Sequence, residues 1–89
     1  MLVRLIEIYK PPGDRLHLDE VYVSGNAVTS IRPEQNTSML SEAIELGVSP
    51  HANLSRLTIN EGGMARTITV VGSPIEIKNK LGIKNLLKG

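Results

Sequence analysis

The clearest hydrophobic pattern in the chain runs from Leu54 to Gly72. If Gly62 and Gly63 form a two-residue turn, Leu57 falls opposite Ile68, and Ile59 and Val70 share their face. The other face collects Arg56, Thr58, Asn60, Thr67 and Thr69. One register thus yields one apolar and one polar face, and a one-residue slip would scramble both. The pattern predicts a β-hairpin.

The rest of the chain divides by the same reasoning. Leu2 to Tyr9 is apolar and β-branched and predicts a strand, stopped by the loop signal Lys10-Pro11-Pro12-Gly13-Asp14. Val21 to Ser24 and Ala27 to Arg32 are short apolar runs separated by Gly25-Asn26, a pair suited to a type II′ hairpin turn, and Pro33 ends the second run. Met39, Leu40, Ala43 and Ile44 then follow a helical period between a cap at Asn36, Thr37 or Ser38 and a stop at Gly47. Ser73-Pro74-Ile75-Glu76 has the composition of a helix start, with Ser at N-cap, Pro at N1 and Glu at N3. That helix is expected to end near Leu81, with Gly82 as its left-handed stop, and Ile83, Leu86 and Leu87 suit one further turn.

The expected order is β-β-β-α-β-β-α in a single domain over residues 1–89. Its fold class is mainly β: a five-stranded, strongly bent sheet or small open barrel, with a short helix between strands 3 and 4 and a C-terminal helix over an open end. Gly25, Gly62, Gly63 and Gly72 stand where such a sheet is expected to turn or bend.

Size changes this picture. A chain of 89 residues buries roughly 60–65% of its unfolded surface, so its core is thin. With no cysteine there are no disulfides or thiolate metal sites, which leaves oligomerisation as the route to added stability. Charges interrupt the apolar residues after Met1, and no run reaches the ~18 apolar residues of a membrane span. A cytoplasmic protein without a membrane partner is expected. The formal net charge of +1 does not by itself argue for nucleic acid. Its distribution is uneven, because Lys78, Lys80, Lys84 and Lys88 crowd the last residues without an acid among them. That end reads as a solvated helix face, a polyanion-binding patch or a membrane-surface helix. With Tyr9 and Tyr22 as the only aromatic side chains, an extensive base-stacking platform is excluded.

Candidate chemistry is sparse. His17 and Asp19 would share a strand face, but no third metal ligand accompanies them. Asp14 reads as a turn former. No serine or threonine lies in a nucleophile-elbow context, and Gly62-Gly63 lack the Lys-Ser/Thr of a phosphate loop. A non-enzymatic module without catalytic residues, metal or cofactor is expected.

The run Val21-Tyr22-Val23-Ser24-Gly25-Asn26-Ala27-Val28-Thr29-Ser30-Ile31, together with five expected strands and a helix, resembles the Sm-like (LSm) proteins and their second sequence motif. The strand-hairpin-hairpin order with a Ser/Glu-started C-terminal helix also resembles small phage and bacterial proteins of the flagellar FlbD type. Together they suggest an Sm-like protein of phage (cyanophage-type) origin, which would place it in the host cytoplasm. The resemblance implies a homo-oligomeric ring of roughly five to seven subunits, closed by pairing strand edges, that binds single-stranded RNA. Matched by position, Gly25 and Asn26 would line the RNA pocket, with Arg32, Arg56 and Arg66 supplying charge. Read from the residues alone, Gly25-Asn26 is first a plain hairpin turn. The alternative function is a small phage or bacterial assembly or regulatory factor whose partner is a protein.

Overall fold

The computed structural model describes residues 1–82. The further turn expected at Ile83, Leu86 and Leu87, and the lysines at 84 and 88, lie outside the described residues. The elements are β1 (Leu2–Tyr9), β2 (His17–Ser24), a 3-10 turn (Gly25–Ala27), β3 (Val28–Pro33), α1 (Thr37–Glu45), β4 (Leu54–Glu61), β5 (Met64–Val71) and α2 (Pro74–Leu81). All five strands join one antiparallel sheet in the order β2-β1-β5-β4-β3.

The locally encoded elements form as expected. β4 and β5 pair from Leu54–Val71 to Glu61–Met64, with Leu57 opposite Ile68 and Thr58 opposite Thr67. Gly62 and Gly63 both have positive φ, 57° and 82°, as a type I′ turn demands. Leu57, Ile59, Ile68 and Val70 are buried on one face. α2 opens with a full capping box: Ser73 Oγ accepts from the Glu76 N–H at 3.2 Å, and Glu76 Oε1 accepts from the Ser73 N–H at 3.1 Å. It stops at Gly82 in the left-handed conformation. α1 is capped by Asn36, whose Oδ1 accepts from the Met39 N–H at 3.1 Å.

Two expectations are corrected. First, Gly25-Asn26 is not a hairpin turn. It belongs to a 3-10 turn in which the Ser24 hydroxyl accepts from the Asn26 N–H at 3.3 Å, and Gly25 does not take the positive φ that a II′ turn requires there. β2 and β3 therefore do not pair. β2 is longer than expected, starting at His17, and forms eight ladder pairs with β1, while β3 pairs with β4. Second, the sheet is open and is neither a small barrel nor strongly curled, since β2 and β3 remain as edges with no ladder between them. The glycines expected to bend it are used elsewhere. Gly62 and Gly63 make the β4–β5 turn, and Gly72 admits Ile77, whose Cδ1 would lie 2.8 Å from a Cβ at that position.

The core has two parts on opposite faces of the sheet. On one, Leu5, Val23, Val28, Ile31, Leu57, Ile59, Ile68 and Val70 pack under Ile77 of α2. On the other, Ala43 of α1 sits with Ile8, Leu16 and Leu54. The alternation of Leu5 with Ile8 on β1, and of Leu57 with Leu54 on β4, divides the two faces. Each fully buried Leu or Ile contributes about 1.5–3 kcal/mol. α1 covers the part of its face around Ile8, Leu16, Leu54 and Val71, with Lys10 Nζ 3.3 Å from Glu42 Oε1. Beyond Leu54, the same face of β3 and β4 carries the polar pairs Arg32–Arg56 and Ser30–Thr58.

Candidate nucleic-acid interface

Of the five residues expected to bind RNA, the fold brings two together. Ile31 faces Leu57 in the core, so Arg32 and Arg56, the next ladder pair, project together from the opposite, α1-bearing face. Ser30 and Thr58 form a neighbouring pair on the same face, and Thr67 lies opposite Thr58. Arg66 does not join them. Its ladder partner is Ile59, which puts it on the other face, where its Nη2 lies 3.7 Å from Glu61 Oε1. Both members of that pair are exposed, and such pairs contribute about 0–1 kcal/mol. Gly25 and Asn26 precede the irregularity between Val28 and Ser30, at the far end of β3 from Arg32. The expected single pocket is thus divided into a 3-10 turn, an arginine pair and a separate exposed arginine.

The arginine pair is anchored by a residue outside the expected set. Glu34 follows β3 directly, and its side chain is only 4% exposed. Its Oε2 accepts from Arg56 Nη2 at 2.8 Å, from Arg56 Nε at 3.1 Å and from the Thr69 hydroxyl at 3.3 Å, while Oε1 accepts from the Asn36 N–H at 3.2 Å. Burial pushes the Glu34 carboxyl up. The hydrogen bonds from Arg56, the Asn36 backbone and Thr69, with the Arg56 charge, outweigh burial and hold it below the usual carboxylate range. Glu34 lies 22 residues from Arg56 and 35 from Thr69, so no local spacing reveals the cluster. The signal available in the sequence was Arg56 opposite Thr69 on the polar face of the hairpin.

The other polar groups are arranged differently from their sequence pattern. His17 meets Asp14 rather than Asp19: Nε2 lies 3.3 Å from Asp14 Oδ2, and the imidazole stacks on Tyr9 with ring centres 5.5 Å apart. Asp14 also accepts the Arg15 N–H at 2.7 Å, and these two contacts hold its carboxyl below the ordinary range. Among the described residues, no group of three or more His, Asp or Glu is placed to hold a metal ion. Lys78 and Lys80 fall in the last turn of α2, where cations oppose the negative end of the helix dipole. An open cavity of about 490 Å³ between the 10–16 loop and α1 is lined by charges of both signs, including Lys10, Arg15, Glu42 and Glu45. Among the described residues, no helix is long and apolar enough to cross a membrane.

Compared with protein-family models, with curated proteins and with solved structures, the chain matches none.

Proposed function

We propose that the chain is a non-enzymatic, Sm-like assembly module whose copies join edge to edge into a closed ring that binds single-stranded RNA. The observation that carries the assembly is the pair of open edges. β2 and β3 each have a sheet neighbour on one side only, which leaves a row of backbone N–H and C=O groups on each without a strand partner. β2 is the longer template, eight residues paired to β1 without a register shift or a proline. β3 is shorter, interrupted between Val28 and Ser30 and ended by Pro33. Pairing β2 of one copy with β3 of the next is a head-to-tail contact, and such contacts make rings when the rotation closes. The run from Val21 to Ile31 that resembles the Sm motif covers the end of β2, the 3-10 turn and most of β3, and so belongs to both edges.

RNA binding is supported by the exposed arginines on the β3–β4 face and the half-buried Ser30 and Thr58 beside them, with guanidinium groups taking the part that scarce aromatic rings cannot. Filter binding of a single-stranded RNA oligonucleotide at two salt concentrations tests it. Affinity is expected to fall steeply with salt as phosphate contacts are lost. No binding at low salt would leave a protein partner as the better reading. That alternative is favoured by the exposed apolar side chains of Leu2, Tyr22, Met64 and Ile75.

A further inference from the structure

The cross-strand arginines pose an electrostatic problem. Residues directly opposite on antiparallel strands have Cβ atoms about 4.5–5.5 Å apart, and like charges so placed repel. Arg32 and Arg56 are such a pair. Among the described residues, Glu34 is the one carboxylate within salt-bridge distance of either, and it contacts Arg56 alone. One carboxylate thus stands against two guanidinium charges, and Arg32, itself exposed, carries the surplus. Where a local rule is broken without compensation inside the fold, a functional site is the first explanation to test.

The donors that remain point to the missing counter-charge. Arg56 has five N–H groups, and Glu34 occupies one on Nε and one on Nη2, leaving three. Its guanidinium is held by a carboxylate that is itself buried and fixed by Thr69 and the Asn36 N–H, so Arg56 offers those three donors with little further loss of freedom. Arg32 brings a second planar fork from the edge strand. The Ser30 and Thr58 hydroxyls lie about 7 Å further along the same face, two residues away on each strand. Two guanidinium groups side by side on one face, with hydroxyls two residues further along, suit an anion with more than two acceptor oxygens. A phosphate presents oxygens on several sides and can bridge two guanidinium forks, whereas a carboxylate presents two coplanar oxygens that match one fork.

We infer that Arg32 and Arg56, with Glu34 as the positioning residue for Arg56, form a phosphate-binding clamp on the β3–β4 face. Where that phosphate belongs to RNA, the inference rests on the reading given above; the phosphate chemistry itself does not.

The test is an NMR titration of the full chain with inorganic phosphate, against acetate at matched ionic strength, alongside RNA oligonucleotide binding by the parent and two variants. Phosphate is expected to move the Arg32 Nε–H and Thr58 amide signals to saturation and to leave those of Arg66 in place. Arg32→Ala, an exposed position, is expected to abolish the saturable shift. It should also weaken RNA binding about ten-fold, the loss of one charge-assisted hydrogen-bonded contact, and lower the salt slope by about one phosphate's share. Arg66→Ala should change RNA affinity less than two-fold. Saturable phosphate shifts at Arg32 without RNA binding by the parent would support a clamp for small phosphates and overturn the RNA reading. RNA binding that is indifferent to Arg32→Ala, shifts no larger at Arg32 than at Arg66, or acetate shifts equal to those of phosphate would each overturn the clamp.

Discussion

Replacing Arg56 with alanine is expected to lower the stability of the folded chain by about 3 kcal/mol at neutral pH. The cause is Glu34, which would remain buried with its main counter-charge gone, rather than the loss of Arg56's own packing. The value sits at the low end for a broken buried pair because the Arg56 side chain is 54% exposed, so water screens the contact. The Thr69 hydroxyl and the Asn36 N–H also stay in place. In the parent, the Glu34 carboxyl is held below its ordinary value, so its contribution is present above that value and is lost as pH falls through the depressed one. In Arg56→Ala the counter-charge is gone while the burial stays, so the variant is expected to be relieved as the group protonates. Urea unfolding of both proteins at pH 7 and pH 3 should show the gap narrowing in acid. A gap equal at the two pH values would mean that Glu34 is not its source.

Ile68→Ala is expected to cost roughly 2–5 kcal/mol, the range for deleting a large aliphatic side chain from a packed core. Ile68 is 6% exposed and pairs across the ladder with Leu57, which is fully buried, in the cluster closed by Ile77 of α2. Thr58→Ala, on the opposite face of the same hairpin, should cost well under that, since Thr58 is only half-buried and outside either core. Chemical denaturation of the two variants makes the comparison. Equal losses would show that the register is wrong, because in this register only Ile68 faces the core.

What the sequence revealed follows the range over which each interaction acts. The Gly62-Gly63 turn, the Ser73–Glu76 capping box and the Asn36 cap each close within a few residues, and all three are present. Strand pairing is different. Gly25-Asn26 suits both a II′ turn and a 3-10 turn, and the choice is made by distant partners: β3 finds β4 beyond α1, and β2 finds β1 across the 10–16 loop. Asp19 and Glu20 have low intrinsic strand preference, yet both stand in β2 because its ladder with β1 overrides propensity at a solvated edge. β1 meets β5 through only Glu7–Val70 and Ile8–Thr69, a contact between the two ends of the sequence that no local pattern encodes. The candidate site divides in the same way. Arg56 was visible on the polar side of the β4–β5 hairpin, whereas its pairing with Arg32 required the β3–β4 register, and Glu34 had no signal near either.

The mass of the protein in solution tests the proposed assembly most directly. Light scattering over a range of micromolar concentrations is expected to give a multiple of the chain mass, roughly five to seven for a closed ring, because head-to-tail pairing of β2 with β3 satisfies both open edges only on closure. The mass of a single chain at every concentration would contradict edge-to-edge assembly, and with it the ring.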